Sequence, residues 1–328
     1  MSKHSEFRTV RHFAIGDGSI PFVSVIMPVR NEGERLPAVI HSIVGGRSSR
    51  FPLQVILVDD CSTDGCCDAL GELGCTPWDN VELLLVRLPR WSGIPYARNV
   101  GASFACAEIL FITDANVRFP QNWDLPIRNR IAPMRALCAT IADENSPFRA
   151  CGGMLHLPAM GFHWLRNPNT FGGYAPLSPC TGTIMPRELF RRVGGYDTGM
   201  PVYGAAEPEF SVRLWLSGAE IVCAPELVLK HRFRPTSERR PFLQTISLLQ
   251  IHNYLRFGFL YLDRNNSKRV FDHYAASAPE LVDRALQLVL RGDVWRRRDV
   301  LIRTLPLRFE SFVKRFGFVD AQGRFSYG

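Results

Sequence analysis

The chain has 328 residues, of which 46% are hydrophobic and 21% are charged. This composition is typical of a globular protein with a sizeable core and excludes general disorder. The net charge of +8 lies at the C-terminal end, where residues 230–328 carry 19 Lys and Arg against 9 Asp and Glu. Such an excess occurs on solvated faces and on surfaces that contact a membrane, an anionic acceptor or nucleic acid. No nucleic-acid-binding motif accompanies the Arg run at 296–298, so we expect no nucleic-acid partner.

The cysteines and the apolar runs indicate the cellular compartment in which we expect the protein. The nine cysteines lack the paired spacing of a zinc site or of a secreted disulfide framework. The first residues contain no apolar segment of signal-peptide length, and residues 242–262, the nearest approach to a membrane span, contain several strongly polar side chains. We therefore expect a cytoplasmic protein in which 242–262 forms a buried or interfacial helix. Peripheral contact with the inner membrane face through the basic C-terminal region stays open.

Strands and helices alternate along the first 113 residues. Four short, mostly apolar runs predict strands buried on both faces of a sheet, at residues 22–27, 54–58, 81–88 and 109–113. Helical spacing of apolar residues predicts helices over Asn31–Ile43, with Asn31 as a candidate N-cap, and over Tyr96–Ala107. Short connections between such elements imply right-handed crossovers. The expected fold is α/β, a mostly parallel sheet with helices on both faces.

Carboxylates follow two of these strands. Asp59 and Asp60 come after the second strand and Asp114 after the fourth. Ligands of open α/β sheets bind outside the carboxyl ends of the strands, although any one of these residues could also be an ordinary turn or helix cap. No GxGxxG or GxxxxGK[ST] motif is present, which argues against a dinucleotide enzyme and a phosphate-loop NTPase.

The pattern changes after the fourth strand. Glycine pairs break residues 119–234 into short strands and loops around Thr181–Met185, and residues from Pro235 onward are helix-like and basic. We therefore divide the chain into an N-terminal tail (1–20), a domain with two halves (21–118 and 119–234) and a basic helical C-terminal region (235–328).

Several segments now resemble a known family. VSVIMPVRNE at 23–32, VDDCSTD at 58–64 and FITDAN at 111–116 resemble the landmarks of family 2 glycosyltransferases of the GT-A fold. GGYD at 194–197, YGAAEPEFSVRLW at 203–215 and HRFR at 231–234 are similar to the polypeptide N-acetylgalactosaminyltransferases. The resemblance covers roughly residues 21 to 234. It implies a transferase that moves a hexose or N-acetylhexosamine from a UDP-sugar, with a nucleotide-sugar half (21–118) and an acceptor and metal half (119–234).

The resemblance also implies a donor site. Asp60 would accept a hydrogen bond from the uracil ring, and Arg98 would hold the donor side of the cleft through an acid or a phosphate. The other residues assigned to this site are Pro28, Asn31, Glu32 and Gly182.

A metal site is implied as well. Asp114 would be the first acid of a DxD or DxH motif and bind a divalent ion, with Asn116 at the second position and His231 as a distant ligand. Oxygen ligands suit Mg²⁺ or Mn²⁺, and one imidazole favours Mn²⁺. Without the resemblance, His231 would more simply be an ordinary histidine.

Two positions depart from the family pattern. Asn116 replaces an acid or a histidine; its amide oxygen carries no charge, so metal affinity should fall or the contact should pass through water. Ala206 and Glu207 stand where the family has Glu-Asp or Glu-Asn, which makes Glu207 the candidate base for the acceptor and Glu209 its alternative. The stereochemical outcome, inverting or retaining, stays open.

The acceptor is less defined than the donor. The last 94 residues lack the repeats of a lectin module, so a peptide, a lipid-linked molecule and a small molecule all stay open as acceptors. Asn116 and Ala206 also motivate a second hypothesis, an inactive nucleotide-sugar-binding or scaffold protein. A nucleotidyltransferase is a third, but the Gly-rich loop expected after its first strand is missing.

Overall fold

The computed structural model describes residues 7–13, 15, 18–68, 70, 78–179, 181–320, 322 and 324–326. The strands are β1 (Arg8–Phe13), β2 (Val23–Val29), β3 (Leu53–Asp59), β4 (Val81–Arg87), β5 (Ile109–Ile112), β6 (Val117–Arg118), β7 (Arg135–Asp143), β8 (Arg149–Cys151), β9 (Gly153–His156), β10 (Gly161–Trp164), β11 (Thr183–Pro186), β12 (Glu220–His231), β13 (Phe318–Val319) and β14 (Phe325–Ser326). The helices are α1 (Leu36–Gly45), α2 (Ile94–Phe104), α3 (Leu125–Arg130), α4 (Arg187–Val193), α5 (Ala206–Leu216), α6 (Thr236–Tyr261), α7 (Arg264–Ser277), α8 (Pro279–Arg291), α9 (Val294–Thr304) and α10 (Phe309–Phe316).

A ten-stranded sheet forms the centre of the fold, in the order β1-β4-β3-β2-β5-β11-β7-β12-β6, with β8 paired to β7. The four strands predicted from the sequence, β2 to β5, are adjacent and parallel. Beyond β5 the sheet is mixed, because β11 runs antiparallel to both of its neighbours while β12 lies parallel to β7. The short connection from β7 to β8 permits only antiparallel pairing there. The α/β fold is confirmed, and the second half of the sheet is less parallel than predicted.

Helices cover both faces of the sheet. In β2, Val25 and Met27 point to the core that also contains the apolar face of α1, whereas Ile26 points to the core beneath α2. Neighbouring residues of a strand face opposite sides, so a strand buried on both faces must be apolar at nearly every position. This is the reason that the first strands could be recognised from the sequence.

The segment after β2 differs from the prediction. The strand continues through Pro28 to Val29, beyond the end of its pairing with β5 at Ile26, so the missing N–H of Pro28 interrupts no bond to that neighbour. Helix α1 begins at Leu36, after a 3₁₀ turn, and not at Asn31. Asn31 has φ 53°, and its side-chain oxygen accepts a hydrogen bond from the N–H of Thr63 at 2.8 Å. It therefore joins the ends of β2 and β3 and does not cap α1.

Both ends of the chain pack on the central domain. Strand β1, in the predicted tail, pairs antiparallel with β4 at the edge of the sheet. The C-terminal region folds into α6 to α10 and returns through β13, which pairs with β9 in a second sheet of four strands. The predicted helix at 242–262 overlaps α6, which begins earlier, at Thr236, and ends one residue before 262. Among the described residues, no helix is both long and apolar enough to cross a membrane.

The basic run at 296–298 does not form one exposed face. Arg296 is 80% exposed and lies 3.5 Å from Asp293. Arg298 is partly buried and donates a hydrogen bond to the carbonyl of Phe259, and Arg297 is half-buried. Only the first of the three arginines is therefore fully available to a partner. The seven cysteines within the described residues are free thiols; Cys75 and Cys180 lie outside them.

Candidate active site

Five of the predicted site residues follow the carboxyl ends of β2, β3 and β5: Asn31, Glu32, Asp60, Asp114 and Asn116. These strand ends meet at one edge of the sheet because the strands are parallel and adjacent. Asp60 is buried there and accepts hydrogen bonds from the N–H groups of Ser92 at 2.7 Å and Gly93 at 2.8 Å. Burial raises the pKa of Asp60, and the two N–H groups oppose that shift. Asp59 has a different role, since it pairs with Arg87 at 2.9 Å.

Two residues beside Asp60 were not predicted as site residues. Arg30 donates hydrogen bonds to the carbonyls of Asp60 and Cys61, the latter at 2.9 Å. Its guanidinium lies 4.5 Å from the ring centroid of Trp91, within the range of a cation–π contact. Arg30 lies inside the first family-like segment, so the sequence contained a signal for it; Trp91 had none beyond its proximity to Gly93.

Arg98 joins the two halves of the domain. Its fully buried guanidinium lies 3.0 Å from Asp114 and 3.1 Å from Glu207. The hydroxyl of Thr181 donates a further hydrogen bond to Asp114. The side chains of Asp114 and Glu207 are 25% and 12% exposed, so this cluster lies between the core and the solvent. The predicted metal ligand and the predicted base thus contact the same cation, and the role of Arg98 on the donor side stays a prediction.

Asn116 and His231 lie close together because β12 pairs with β6, which places His231 opposite Val117. The amide nitrogen of Asn116 donates to the carbonyl of Arg232 at 3.3 Å. Within the described part of the chain, the buried Asn116 Oδ1 and His231 Nδ1 atoms have no hydrogen-bond partner. Burial lowers the pKa of His231, while the charge of Asp114 opposes that shift. A neutral imidazole and an amide oxygen therefore lie beside Asp114.

The described residues contain no group of three His, Cys, Asp or Glu side chains placed to hold a metal ion. A metal bound in this region would therefore draw part of its coordination from other groups, such as the amide oxygen of Asn116, water or the phosphates of the donor. The unpartnered oxygen of Asn116 and the unpartnered nitrogen of His231 fit that requirement, because both are lone-pair donors that burial leaves without a hydrogen bond.

Two predicted donor residues have structural contacts. Glu32 pairs with Arg234 at 2.8 Å; burial raises the pKa of Glu32, and Arg234 opposes that shift. Gly182 has φ 89°, and a Cβ atom at this position would lie 2.6 Å from Cβ of Ala139. Close packing against β7 therefore explains the glycine without a ligand. Its neighbour Thr181, which was not predicted, is the residue that contacts the Arg98 cluster.

Glu209 lies in the core and not in the cluster. Its two carboxylate oxygens accept hydrogen bonds from Arg213 at 2.7 and 2.6 Å, and the hydroxyl of Tyr261 donates to one of them at 2.7 Å. The side chain is fully buried. A carboxylate held in this way joins α5 to α6 and is not available to take a proton from an acceptor. The structure therefore argues against the alternative base and favours Glu207.

Comparisons with known proteins agree with the motifs. The profile described as glycosyl transferase family 2 matches residues 24–194, just over half of the chain. The chain is 27% identical over 309 residues to polypeptide N-acetylgalactosaminyltransferase 11 of Xenopus tropicalis, covering 87% of this chain and 48% of the relative. It is 30% identical over 261 residues to N-acetylgalactosaminyltransferase 6 of Drosophila melanogaster, covering 74% of this chain and 39% of the relative. The chain thus spans about half the length of these curated relatives.

Solved structures share the fold. One is GalNAc-T7 with UDP, GalNAc and Mn²⁺, with a TM-score of 0.68 and 20% identity, over 91% of this chain and 57% of that one. Another is the mannosyltransferase PcManGT of Pyrobaculum calidifontis with GDP-Man and Mn²⁺, with a TM-score of 0.53 and 18% identity, over 89% of this chain and 88% of that one. These likenesses confirm the predicted GT-A fold.

Proposed function

The chain belongs to glycosyl transferase family 2, and from that premise we propose that it transfers a hexose or N-acetylhexosamine from a UDP-sugar to a peptide, lipid-linked or small-molecule acceptor, assisted by a divalent metal. The observation that carries the proposal is the contact of one buried cation, Arg98, with both Asp114 and Glu207. A sugar transferase that inverts the configuration of the transferred sugar must hold the diphosphate of its donor near a group that accepts the acceptor proton. Asp114 contacts Nη2 and Glu207 contacts Nη1 of the same guanidinium, so the two carboxylates lie close enough to serve those two tasks together.

The donor side rests on Asp60. A buried carboxylate at the end of β3 can accept a hydrogen bond from the ring N–H of uracil, and such charge-assisted bonds are stronger than neutral ones. The N–H groups of Ser92 and Gly93 fix its orientation. The names of the curated relatives, which are N-acetylgalactosaminyltransferases, favour an N-acetylhexosamine among the possible sugars.

Asp114, Asn116 and His231 are the residues that would hold the metal. A divalent ion neutralises the charge that develops on a nucleotide diphosphate leaving group. The neutral imidazole of His231 and the carboxylate of Asp114 favour Mn²⁺, with Mg²⁺ as the second choice. Arg98 and Thr181 hold the side chain of Asp114 in place through hydrogen bonds.

Glu207 would take the proton from the attacking hydroxyl of the acceptor. It lies in the first turn of α5 and is partly exposed, so an acceptor can reach it. The hydrogen bond from Arg98 to Oε1 orients the carboxylate, and a general base must be held within hydrogen-bond reach of the proton that it removes.

The test combines binding with turnover. Thermal unfolding is measured with UDP-GalNAc, UDP-GlcNAc and UDP-glucose, each with and without MnCl₂, and hydrolysis of the same donors is followed. Asp114→Ala should remove the metal-dependent stabilisation. Glu207→Gln should preserve it and reduce turnover by roughly 10². Glu226→Gln is the matched control, since this exposed carboxylate pairs with Arg130 away from the cluster.

The alternative functions predict other results. Stabilisation by a donor without any hydrolysis, and without transfer to any acceptor, would favour a binding or scaffold protein. Full activity of Asp114→Ala, or of the wild type in excess chelator, would contradict the metal role. Equal losses of donor affinity and turnover in Glu207→Gln would make Glu207 a binding residue.

The domain division and the role of the basic region are part of the proposal. We place the donor site in residues 21–118 and the acceptor and metal sites in 119–234, with 235–328 as a helical region that packs on both. Contact of this region with an anionic acceptor or a membrane surface would depend on its exposed basic residues, and Arg296 is the exposed member of the arginine run. A cytoplasmic location stays a prediction.

A further inference from the structure

The 201–205 loop, which leads into α5, has an unusual backbone. Val202, Gly204 and Ala205 have φ values of 61°, 103° and 59°. The left-handed region is rare for any residue with a side chain and is an outlier for a β-branched one such as valine. Such a conformation persists only where surrounding contacts impose it, and residues of this kind concentrate at functional sites. The contacts that hold the loop therefore indicate what the loop does.

One set of contacts comes from the donor side. Gly93 forms a β-bridge with Val202, and the N–H of Ile94 donates to the carbonyl of Val202 at 3.0 Å. A Cβ atom on Gly93 would lie 2.2 Å from Cα of Val202, so only glycine permits this approach. The N–H of the same Gly93 donates to Asp60. The loop therefore contacts the residue that orients the proposed uracil acceptor.

The second set comes from α6. Asn253 is fully buried, and its amide nitrogen donates to the carbonyls of Pro201 at 2.9 Å and Tyr203 at 3.1 Å. One helical turn further, Arg256 pairs with Asp197 at 2.9 and 3.2 Å. Helix α6 thus holds the loop through its backbone carbonyls and anchors the residues that precede it.

The loop ends at the proposed base. Ala205 is the N-cap residue of α5, and its carbonyl accepts a hydrogen bond from the N–H of Glu209 at 2.8 Å. Glu207 follows two residues later, in the first turn. A displacement of the loop would therefore displace Glu207 relative to Arg98.

We propose that Asn253 is a positioning residue, through which α6 clamps the 201–205 loop against Gly93 and so fixes Glu207 relative to the donor site. This inference rests on the proposed function, because it assigns Asn253 a role through Glu207. Without the amide, two carbonyls lose their donor and the loop can leave the left-handed conformation. The C-terminal helical region would then be part of the catalytic machinery and not an appended module.

The first experiment tests the clamp without reference to catalysis. Amide hydrogen exchange is measured for the wild type, Asn253→Ala and Val270→Ala; Val270 is buried in α7 and serves as a control for general destabilisation of the helical region. Asn253→Ala should speed exchange at Gly93 and Ile94 by roughly tenfold, since loss of the clamp opens these bonds locally. Val270→Ala should leave both unchanged. Equal exchange at Gly93 and Ile94 in the wild type and Asn253→Ala would overturn the clamp.

The second experiment tests its connection to the base. Hydrolysis of UDP-GalNAc in MnCl₂, with water in place of the acceptor, is measured for Asn253→Ala, Glu207→Gln and the double variant. Asn253→Ala should lower kcat by roughly 10- to 100-fold without raising KM, because a small misplacement of a catalytic group has effects of that size. In the Glu207→Gln background the same change should lower kcat by at most about twofold, because the two residues act as a unit.

The outcomes distinguish the proposed role of Asn253 from the proposed role of Glu207 as the base. Multiplicative losses in the double variant would show that Asn253 acts independently of Glu207 and would overturn its positioning role. If Glu207→Gln keeps full activity, the proposed base is wrong, whereas the exchange experiment still decides whether the clamp exists. If Asn253→Ala loses exchange protection at Gly93 and Ile94 but keeps the kcat of the wild type, the proposed effect of Asn253 on catalysis is also overturned.

Discussion

Replacing Arg98 by methionine should both destabilise the fold and abolish turnover. The guanidinium is fully buried and is shared by Asp114 at 3.0 Å and Glu207 at 3.1 Å. Methionine fills much of the same volume without charge. Two carboxylates would then remain near each other, in a partly buried place, without the cation that now lies between them.

The size of the effect follows from burial. Removing one partner of a buried ion pair costs about 3 to 5 kcal/mol of unfolding free energy, because the other charge is left uncompensated. The side chains of Asp114 and Glu207 are 25% and 12% exposed, so water solvates part of both charges. We therefore expect a loss of about 3 kcal/mol, at the lower end of that range. Asp114→Asn should cost less, about 1 kcal/mol, because Arg98 keeps Glu207 as a charged partner.

Arg213→Met is the matched control. Arg213 and Glu209 are both almost fully buried and form two hydrogen bonds, so this loss should approach about 5 kcal/mol. Urea unfolding followed by circular dichroism gives the three free energies, and hydrolysis of UDP-GalNAc at a temperature where each variant is folded gives the activity. An Arg98→Met variant within about 0.5 kcal/mol of the wild type would show that these pairs behave as exposed surface pairs and would refute the reasoning.

Other predictions concern single sites. Burial raises the pKa of Asp60 above its usual value of 3.8. UDP affinity, measured by calorimetry, should therefore fall as the pH drops through this raised pKa. Asp60→Asn should remove this pH dependence. Stability should change in the opposite direction, since the folded state binds this proton more tightly than the unfolded chain and gains stability on acidification over the same range. Gly182→Ala should cost about 3 kcal/mol in urea unfolding, because its Cβ would collide with Ala139 in a left-handed backbone. Arg296→Gln should flatten the salt dependence of binding to anionic liposomes if Arg296 helps the basic region to recruit a surface, and unchanged co-sedimentation at two salt concentrations would exclude that contribution of Arg296.

The first half of the domain was predictable because its strands are buried on both faces. Runs such as 54–58 and 109–113, which are apolar except at one end, leave few alternatives to a central strand, and the acids that follow them had to lie at one sheet edge. The family and the fold predicted from the motifs are confirmed. Helix α1 was misplaced by five residues because Asn31 resembles an N-cap, whereas it adopts a left-handed conformation and bonds to Thr63.

The second half was less predictable, because its contacts join residues far apart in the chain. Strand β12 contains a register shift between Ala224 and Val228, which interrupts the alternation that identifies a strand. The sequence of α6 does not indicate that this helix contacts the 201–205 loop, because Asn253 donates hydrogen bonds to backbone carbonyls about 50 residues earlier in the chain. Glu209 was the alternative to Glu207 as the base, and its contacts with Arg213 and Tyr261 now place it in the core.

The same contacts bear on the two departures from the family pattern. Arg98 already faces two carboxylates, and the nearby cations Arg232 and Arg234 are paired with Glu238 at 3.4 Å and Glu32 at 2.8 Å. A third carboxylate, at position 116 or 206, would add negative charge near the two carboxylates that already share Arg98. Position 206 is almost fully buried, where an uncompensated charge is especially unfavourable. The neutral residues Asn116 and Ala206 therefore fit the charge balance around Arg98, and their presence does not by itself indicate a loss of catalysis.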